Sequence, residues 1–177
     1  MQRLRLFLPL LGFAVLAGLL WRGLSLDPNH MPSALADRPF PEFEASTLDG
    51  STVRRADLLG RTALVNVWAT WCPSCAAEHA FLNRLAEQGV PIFGIDYKDD
   101  TEKARRWIAV RGDPYELIID DPDGRLGIDL GVTGAPETYL IDAAGVVRHR
   151  HQGALDEQVW RKEFAPRIEH LSGEREK

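Results

Sequence analysis

Apolar positions along the chain change period several times, and each change predicts an element. Leu6 to Trp21 carries no charged residue, with Arg3 and Arg5 before it and Arg22 after it. Such a basic-flanked apolar run reads as a signal peptide or a signal anchor. Its 16 residues fall just short of the roughly 20 that span a bilayer, and Arg22 can snorkel to lengthen it. Cleavage would need small residues after the run. Trp21-Arg22-Gly23 fits that poorly, and Ala34-Leu35-Ala36 lies far downstream, so the expectation is an uncleaved anchor over 6–24. Positive residues ahead of it place 1–5 in the cytoplasm and the rest across the membrane.

Leu24 to Pro41 holds Pro28, Pro32, Pro39 and Pro41, which marks a linker over 25–38. Phe40 to Val53 then predicts a hairpin turning at Asp49-Gly50. Ala56 to Leu59 is a short helical turn, and the nearly continuous apolar run Ala63 to Trp68 a strand covered on both faces. Ala77, Phe81 and Leu85 recur at helical spacing, so a helix runs from Pro73 to Gln88, stopped by Gly89. Further strands are expected over 90–97, 117–119, 138–141 and 146–151. Helices are expected over 101–111 with Thr101 as cap, briefly after Gly124, and over 155–171 with a kink or break at Pro166. Strands alternating with helices imply an α/β domain over 39–177 with a partly parallel sheet.

Composition narrows the function. Among 177 residues, 45% are apolar and 27% charged, with a net charge of −5. The acidic balance argues against nucleic acid as a partner. Cys72 and Cys75 are the only cysteines, so disulfide frameworks and four-cysteine zinc sites are excluded by count.

Both cysteines fall where the central strand gives way to a helix, and sites in open α/β sheets cluster there. Pro73 suits the first helical position, which leaves Cys72 beside unpaired N–H groups and the positive end of the helix dipole. Those groups favour a thiolate, with Cys75 one helical turn away. Thiol–disulfide exchange follows: Cys72, exposed, attacks a partner's disulfide, and Cys75, more buried, displaces the partner. Two other uses remain. A structural disulfide across two residues would constrain little of the unfolded chain. Half of a metal site would need His79, and His149 and His151, alternating with Arg148 and Arg150, read as a solvated strand face. The expected site holds no metal and no cofactor beyond the redox-active disulfide.

The stretches NVWATWCPSC, GVPIFGIDYKDD and GVTGAPETYLID resemble the thioredoxin-like thiol:disulfide interchange proteins of cytochrome c biogenesis, the DsbE/CcmG family, over about 39–151. The N-terminal anchor matches too. The resemblance implies a thioredoxin-like fold with an N-terminal β-hairpin extension and a central helix–strand insertion near 99–116, preceded by one transmembrane helix. It implies a cis bond between Ala135 and Pro136, facing the thiols and leaving backbone free for a partner peptide. It also implies an acidic groove, for which Glu78 and Glu137 are candidates; either could equally be a plain surface carboxylate. Asn66 stands where many thioredoxins hold a buried Asp that serves the resolving cysteine, and it cannot ionise; it could also be an ordinary core amide. Trp68 and Trp71 are expected under and beside the thiols.

The implied function is a reductase on the periplasmic side of a bacterial inner membrane. It would keep apocytochrome c, or a thiol-carrying assembly factor, reduced, and a membrane electron carrier would recharge it. Two alternatives stay open. PEFEASTLDG suggests a peroxiredoxin-like peroxidase, but Thr70 lies two residues before Cys72 rather than three. A copper chaperone would usually space its cysteines three apart and add a distal His. The motif serves oxidases and reductases alike, and the reduction potential separates them.

Overall fold

The structure, a computed structural model, describes residues 2–24 and 36–173, with side chains over 9–22 and 36–172. Two units are present, divided after Pro32. The first contains helix α1 (Gln2–Leu24), which carries Pro9 inside it and Arg22 in its last turn. Its apolar side chains stand open, with Leu11 64%, Phe13 71% and Trp21 81% exposed. Among the described residues no helix is long and apolar enough to cross a membrane. The linker expected over 25–38 lies outside the described residues as far as 35.

The second unit is one seven-stranded sheet. Its strands are β1 (Glu44–Thr47), β2 (Thr52–Arg54), β3 (Ala63–Trp68), β4 (Ile92–Tyr97), β5 (Leu117–Asp121), β6 (Glu137–Ile141) and β7 (Val147–Gln152). They lie in the order β2-β1-β5-β4-β3-β6-β7. β3, β4 and β5 are parallel, and β1 and β6 flank them antiparallel. Between the strands come α2 (Pro73–Glu87), α3 (Thr101–Arg111) and α4 (Arg125–Asp129).

β3 is buried along its whole length because both faces are covered. Leu64 and Trp68 join the α2 side with Phe81, Leu82 and Leu85. Ala63, Val65 and Val67 join Phe40, Phe93, Ile95 and Tyr139 on the other side. This accounts for its nearly continuous apolar sequence, broken only by Asn66; a half-exposed strand would be interrupted at every second residue. At Gly94, a Cβ would meet Trp68 Nε1 and Tyr115 Cγ, each at 3.0 Å. The glycine gives these two rings room to stack, 5.7 Å between centroids.

Four expectations need correction. The first hairpin does not turn on two residues: Ser46 pairs with Thr52, and the loop between them closes around the Asp49 carboxylate, which accepts from the Ser51 amide at 3.0 Å and from both the Thr47 and Ser51 hydroxyls. Thr101 does not cap α3. Asp100 does, its carboxylate accepting from Lys103 N at 2.8 Å, while the Thr101 hydroxyl donates to Asp120.

Pro166 does not break the closing helix. A π turn (Trp160–Phe164) follows α5 (Glu157–Val159), and Ala165 N–H reaches back to Trp160 O. That extra residue lets α6 (Ala165–Gly173) start with Pro166 in its first turn, where a missing N–H costs nothing. Finally, the strand face bearing His149 and His151 is not solvated. Both rings pack edge-on to Phe164 and share Glu163 Oε2, at 2.9 and 3.2 Å.

Candidate active site

Cys72 ends the loop from β3 and is the N-cap of α2, in extended conformation, with Pro73 at the first helical position. Its sulfur accepts the Cys75 N–H at 3.1 Å, so one of the helix's unpaired donors already points at it. The two cysteines are joined as a disulfide, Cα atoms 5.3 Å apart. Cys72 is not the exposed sulfur that was expected. It is 3% exposed against 1% for Cys75, bonded to Cys75 and lying in the core cluster on the α2 side of the sheet.

The loop before Cys72 is fixed from the neighbouring strand. The Asp99 carboxylate accepts from both the Thr70 amide and the Thr70 hydroxyl. Trp71 donates from Nε1 to Lys98 O at 3.1 Å and leaves its ring 54% exposed. Trp68 lies in the core, stacked between Trp107 and Tyr115. The Ala135–Pro136 peptide bond is cis, Pro136 is buried, and Ala135 packs against the cluster that contains both sulfurs.

The two candidate carboxylates prove unlike, and neither is a surface group. Glu137 is buried in a full set of partners. Thr133 donates twice at 2.9 and 2.7 Å, Tyr139 OH once at 2.9 Å, and Arg150 from both Nε and Nη2 at 2.9 Å. Burial alone would raise its pKa; the Arg150 guanidinium and the Thr133 and Tyr139 donors outweigh that and hold it below the usual carboxylate range. It is a fixed anion.

Glu78 is one turn beyond Cys75 on α2, and it is 3% exposed. Oε1 accepts from Asn66 Nδ2 at 3.0 Å, and Oε2 from Leu155 N at 2.6 Å. Among the described residues no cation bonds to it, so burial wins over these two donors and pushes its pKa up to about 7. A carboxyl tuned to neutrality beside a reactive pair can give or take a proton. Asn66 is the hub here. Besides donating to Glu78, it donates to Thr138 Oγ1 at 3.1 Å and accepts from Tyr115 OH at 2.9 Å.

His79 is turned to other work. Its Nε2 is 2.9 Å from Gly112 O, its ring meets Trp107 edge-on, and burial lowers its pKa. It ties α2 to the end of α3. Among the described residues, no group of three or more His, Cys, Asp or Glu is placed to hold a metal ion.

Several members of this site escaped the sequence. Asp99, Tyr115, Thr138 and the Leu155 amide reach it from four separate places in the chain, and only the topology joins them. Asp96 was missed as well. It is fully buried at the end of β4, in register with Trp68, and neither carboxylate oxygen has a hydrogen-bond partner among the described residues. Burial first, then the neighbouring Asp99 and Asp120, push its pKa up to about 8.

Comparison with known proteins agrees with this geometry. Residues 35–165 match the Redoxin family. The chain is 53% identical over 178 aligned residues to the thiol:disulfide interchange protein DsbE of Pseudomonas aeruginosa, covering 99% of each chain. It is 47% identical to the Escherichia coli protein of the same name, covering 98% of each. Among solved structures, a secreted thiol-disulfide isomerase from Corynebacterium glutamicum superposes with a TM-score of 0.67 at 19% identity, covering 81% of this chain and 96% of that one. A thio-disulfide isomerase from Thermus thermophilus gives 0.59 at 26%, covering 70% and 89%. With a sulfur pair at a helix start on a thioredoxin-like sheet, and about half identity to DsbE proteins over nearly the whole chain, this protein belongs to the Redoxin family as a DsbE-type thiol:disulfide interchange protein.

Proposed function

We propose that this chain reduces disulfides of apocytochrome c, or of a thiol-carrying assembly factor, on the periplasmic side of a bacterial inner membrane. The observation that carries the reading is the Cys72–Cys75 disulfide at the start of α2 with Glu78 buried one turn behind it. In the dithiol form, the Cys72 thiolate attacks one sulfur of the partner's disulfide. A new bond joins Cys72 to the partner, and the partner's other sulfur leaves as a thiolate and takes a proton. Cys75 then loses its proton to Glu78 and attacks Cys72. The Cys72–Cys75 bond forms, and the partner's second thiol departs. Two electrons pass to the partner, and a membrane electron carrier restores the dithiol.

Ala135, Pro136 and Glu137 form the partner groove in this reading. The cis bond and the buried Pro136 support a fixed peptide-binding edge, and Glu137 braces it through Arg150. Asn66 positions Glu78, Pro73 starts the helix, and Trp68 and Trp71 bed the loop. The hairpin β1–β2 and the α3–β5 segment are the N-terminal extension and the central insertion on a thioredoxin-like core.

The chain divides as 1–5 cytoplasmic, 6–24 signal anchor, 25–38 linker and 39–177 catalytic. The open apolar side chains of α1 support the anchor, because an exposed apolar array of that size needs lipid or protein to cover it. A redox titration of the full chain against glutathione and dithiothreitol tests the direction of electron flow. The reading expects a potential well below the roughly −180 mV of an isomerase, and a value near about −120 mV, that of a strong oxidant, overturns it.

A further inference from the structure

Helix α3 carries a stripe in which only Trp107 is tied to the core, stacked on Trp68 and edge-on to His79. Lys103, Arg106, Trp107 and Val110 recur at helical spacing, and with Arg111 and Thr70 they line one surface depression. Val110 is 85% exposed, the most open large apolar side chain among the described residues of the second unit. The charges here are unspent. Glu102 is taken by Arg105, which also bonds Leu48 O, and Asp99 is taken by Thr70. Among the described residues, Lys103 and Arg106 have no side-chain hydrogen bond or ion pair, whereas Arg54, Arg55, Arg61, Arg105, Arg148, Arg150 and Arg161 all meet carboxylates. Arg111 has local reasons to be there: it sits in the last turn of the helix and lies over the Trp107 ring. Lys103 and Arg106 have neither.

The position gives the stripe a use. Its inner end is Thr70, two residues before Cys72. From Lys103 to Val110 it extends about 10 Å at 1.5 Å per helical residue, room for about three residues of extended chain. A partner whose disulfide lies on Cys72 can therefore lay an adjoining segment along it. Two free cations, the half-buried rim of Trp107 and an open valine, on a chain whose net charge is −5, suit a segment with one or two carboxylates and an apolar side chain.

Resting on the exchange reading above, we propose that the Lys103–Arg106–Trp107–Val110 stripe is a docking surface for an acidic, partly apolar polypeptide segment next to the partner's disulfide. It selects substrates by their flanking charge. Docking of this kind acts mainly on the encounter rate and weakens with salt.

The test uses the reduced full chain in detergent, with two disulfide peptides alike except that the flanking residues are Asp and Leu in one and Lys and Leu in the other. The uncharged hydroxyethyl disulfide is a third substrate. The expected result is oxidation by the acidic peptide about tenfold faster than by the basic one at low salt, the gap closing as salt rises. In the double variant Lys103→Glu, Arg106→Glu the preference should reverse, with the rate on hydroxyethyl disulfide within about twofold of wild type.

Equal rates for the two peptides would overturn the proposal, as would a variant slowed equally on all three substrates. So would unchanged peptide rates accompanied by lost binding of the variant to phosphatidylglycerol vesicles, which would assign the stripe to lipid. If the wild type fails on hydroxyethyl disulfide too, the exchange reading itself falls.

Discussion

The side-chain amide of Asn66 donates to the carboxylate of Glu78 at 3.0 Å, joining the central strand to the helix that carries both sulfurs. A buried amide in that place supplies a hydrogen bond but no charge. The ionisable group beside it is Glu78, whose pKa burial raises to about 7. In the proposed exchange, the acid that serves Cys75 comes from its own helix.

The first prediction concerns that acid. In the exchange reading, release of a mixed disulfide should speed up as pH rises through about 7, when Glu78 becomes able to accept the Cys75 proton. Glu78→Gln should flatten this rise and slow release at pH 8 by at least about tenfold, a conservative value for a lost general base. The initial attack by Cys72 should be little changed. Stopped-flow decay of the mixed disulfide across pH 5.5–9 measures both steps. An unaltered inflection in the Gln variant would remove Glu78 from the mechanism.

Asp96 gives a prediction about stability. Its folded pKa of about 8 lies well above the ordinary aspartate value of 3.8. A raised folded value means that its contribution is intact below about pH 4 and is lost as pH climbs to 8, because the buried carboxylate must ionise without a partner. Asp96→Asn stays neutral. It should be more stable than wild type at pH 8 by on the order of 2–5 kcal/mol, after allowance for relaxation around the charge. The gap should close near pH 4. Thermal melts at the two pH values measure it, and a variant less stable at pH 8 would show that the ionised carboxylate is satisfied after all.

The Glu137–Arg150 pair has the opposite sign. Glu137 is held below its ordinary pKa, so its contribution is present above the unfolded value and is lost as pH falls toward the folded one. Both side chains are nearly covered, 1% and 8% exposed. Arg150→Met strands a buried anion and should cost about 3–5 kcal/mol at pH 7, and adding Glu137→Gln should recover much of it. Urea unfolding of the single and double variants checks this. A single variant within about 1 kcal/mol of wild type, the range of an exposed pair, would contradict the burial assigned here.

The sequence made some parts of this site legible and hid others, for physical reasons. The β3–α2 junction could be read because each of its signals is local: a nearly continuous apolar run, then Cys72-Pro73, then helical spacing through Leu85. Glu78 and Glu137 looked alike because what separates them is remote. Arg150 lies 13 residues from Glu137 on the next strand, while the nearest donors to Glu78 come from Asn66 and Leu155. His149 and His151 looked solvated because a strand carries no mark of what will cover it, and the cover, Phe164 and Glu163, arrives on the closing helix. Thr101 and Asp100 are both good caps, and the choice fell to Asp100 because Asp120 claims the Thr101 hydroxyl. The α3 stripe shows as helical spacing, but its unpaired charges are visible only after every neighbouring carboxylate has been assigned.

Trapping by single-cysteine variants is the most direct test of the central claim, that Cys72 attacks and Cys75 resolves. Cys75→Ala, reduced and mixed with a disulfide substrate, should accumulate a covalent complex through Cys72 that dithiothreitol dissolves, while Cys72→Ala should accumulate little. Equal trapping by the two variants, or more by Cys72→Ala, would contradict the account.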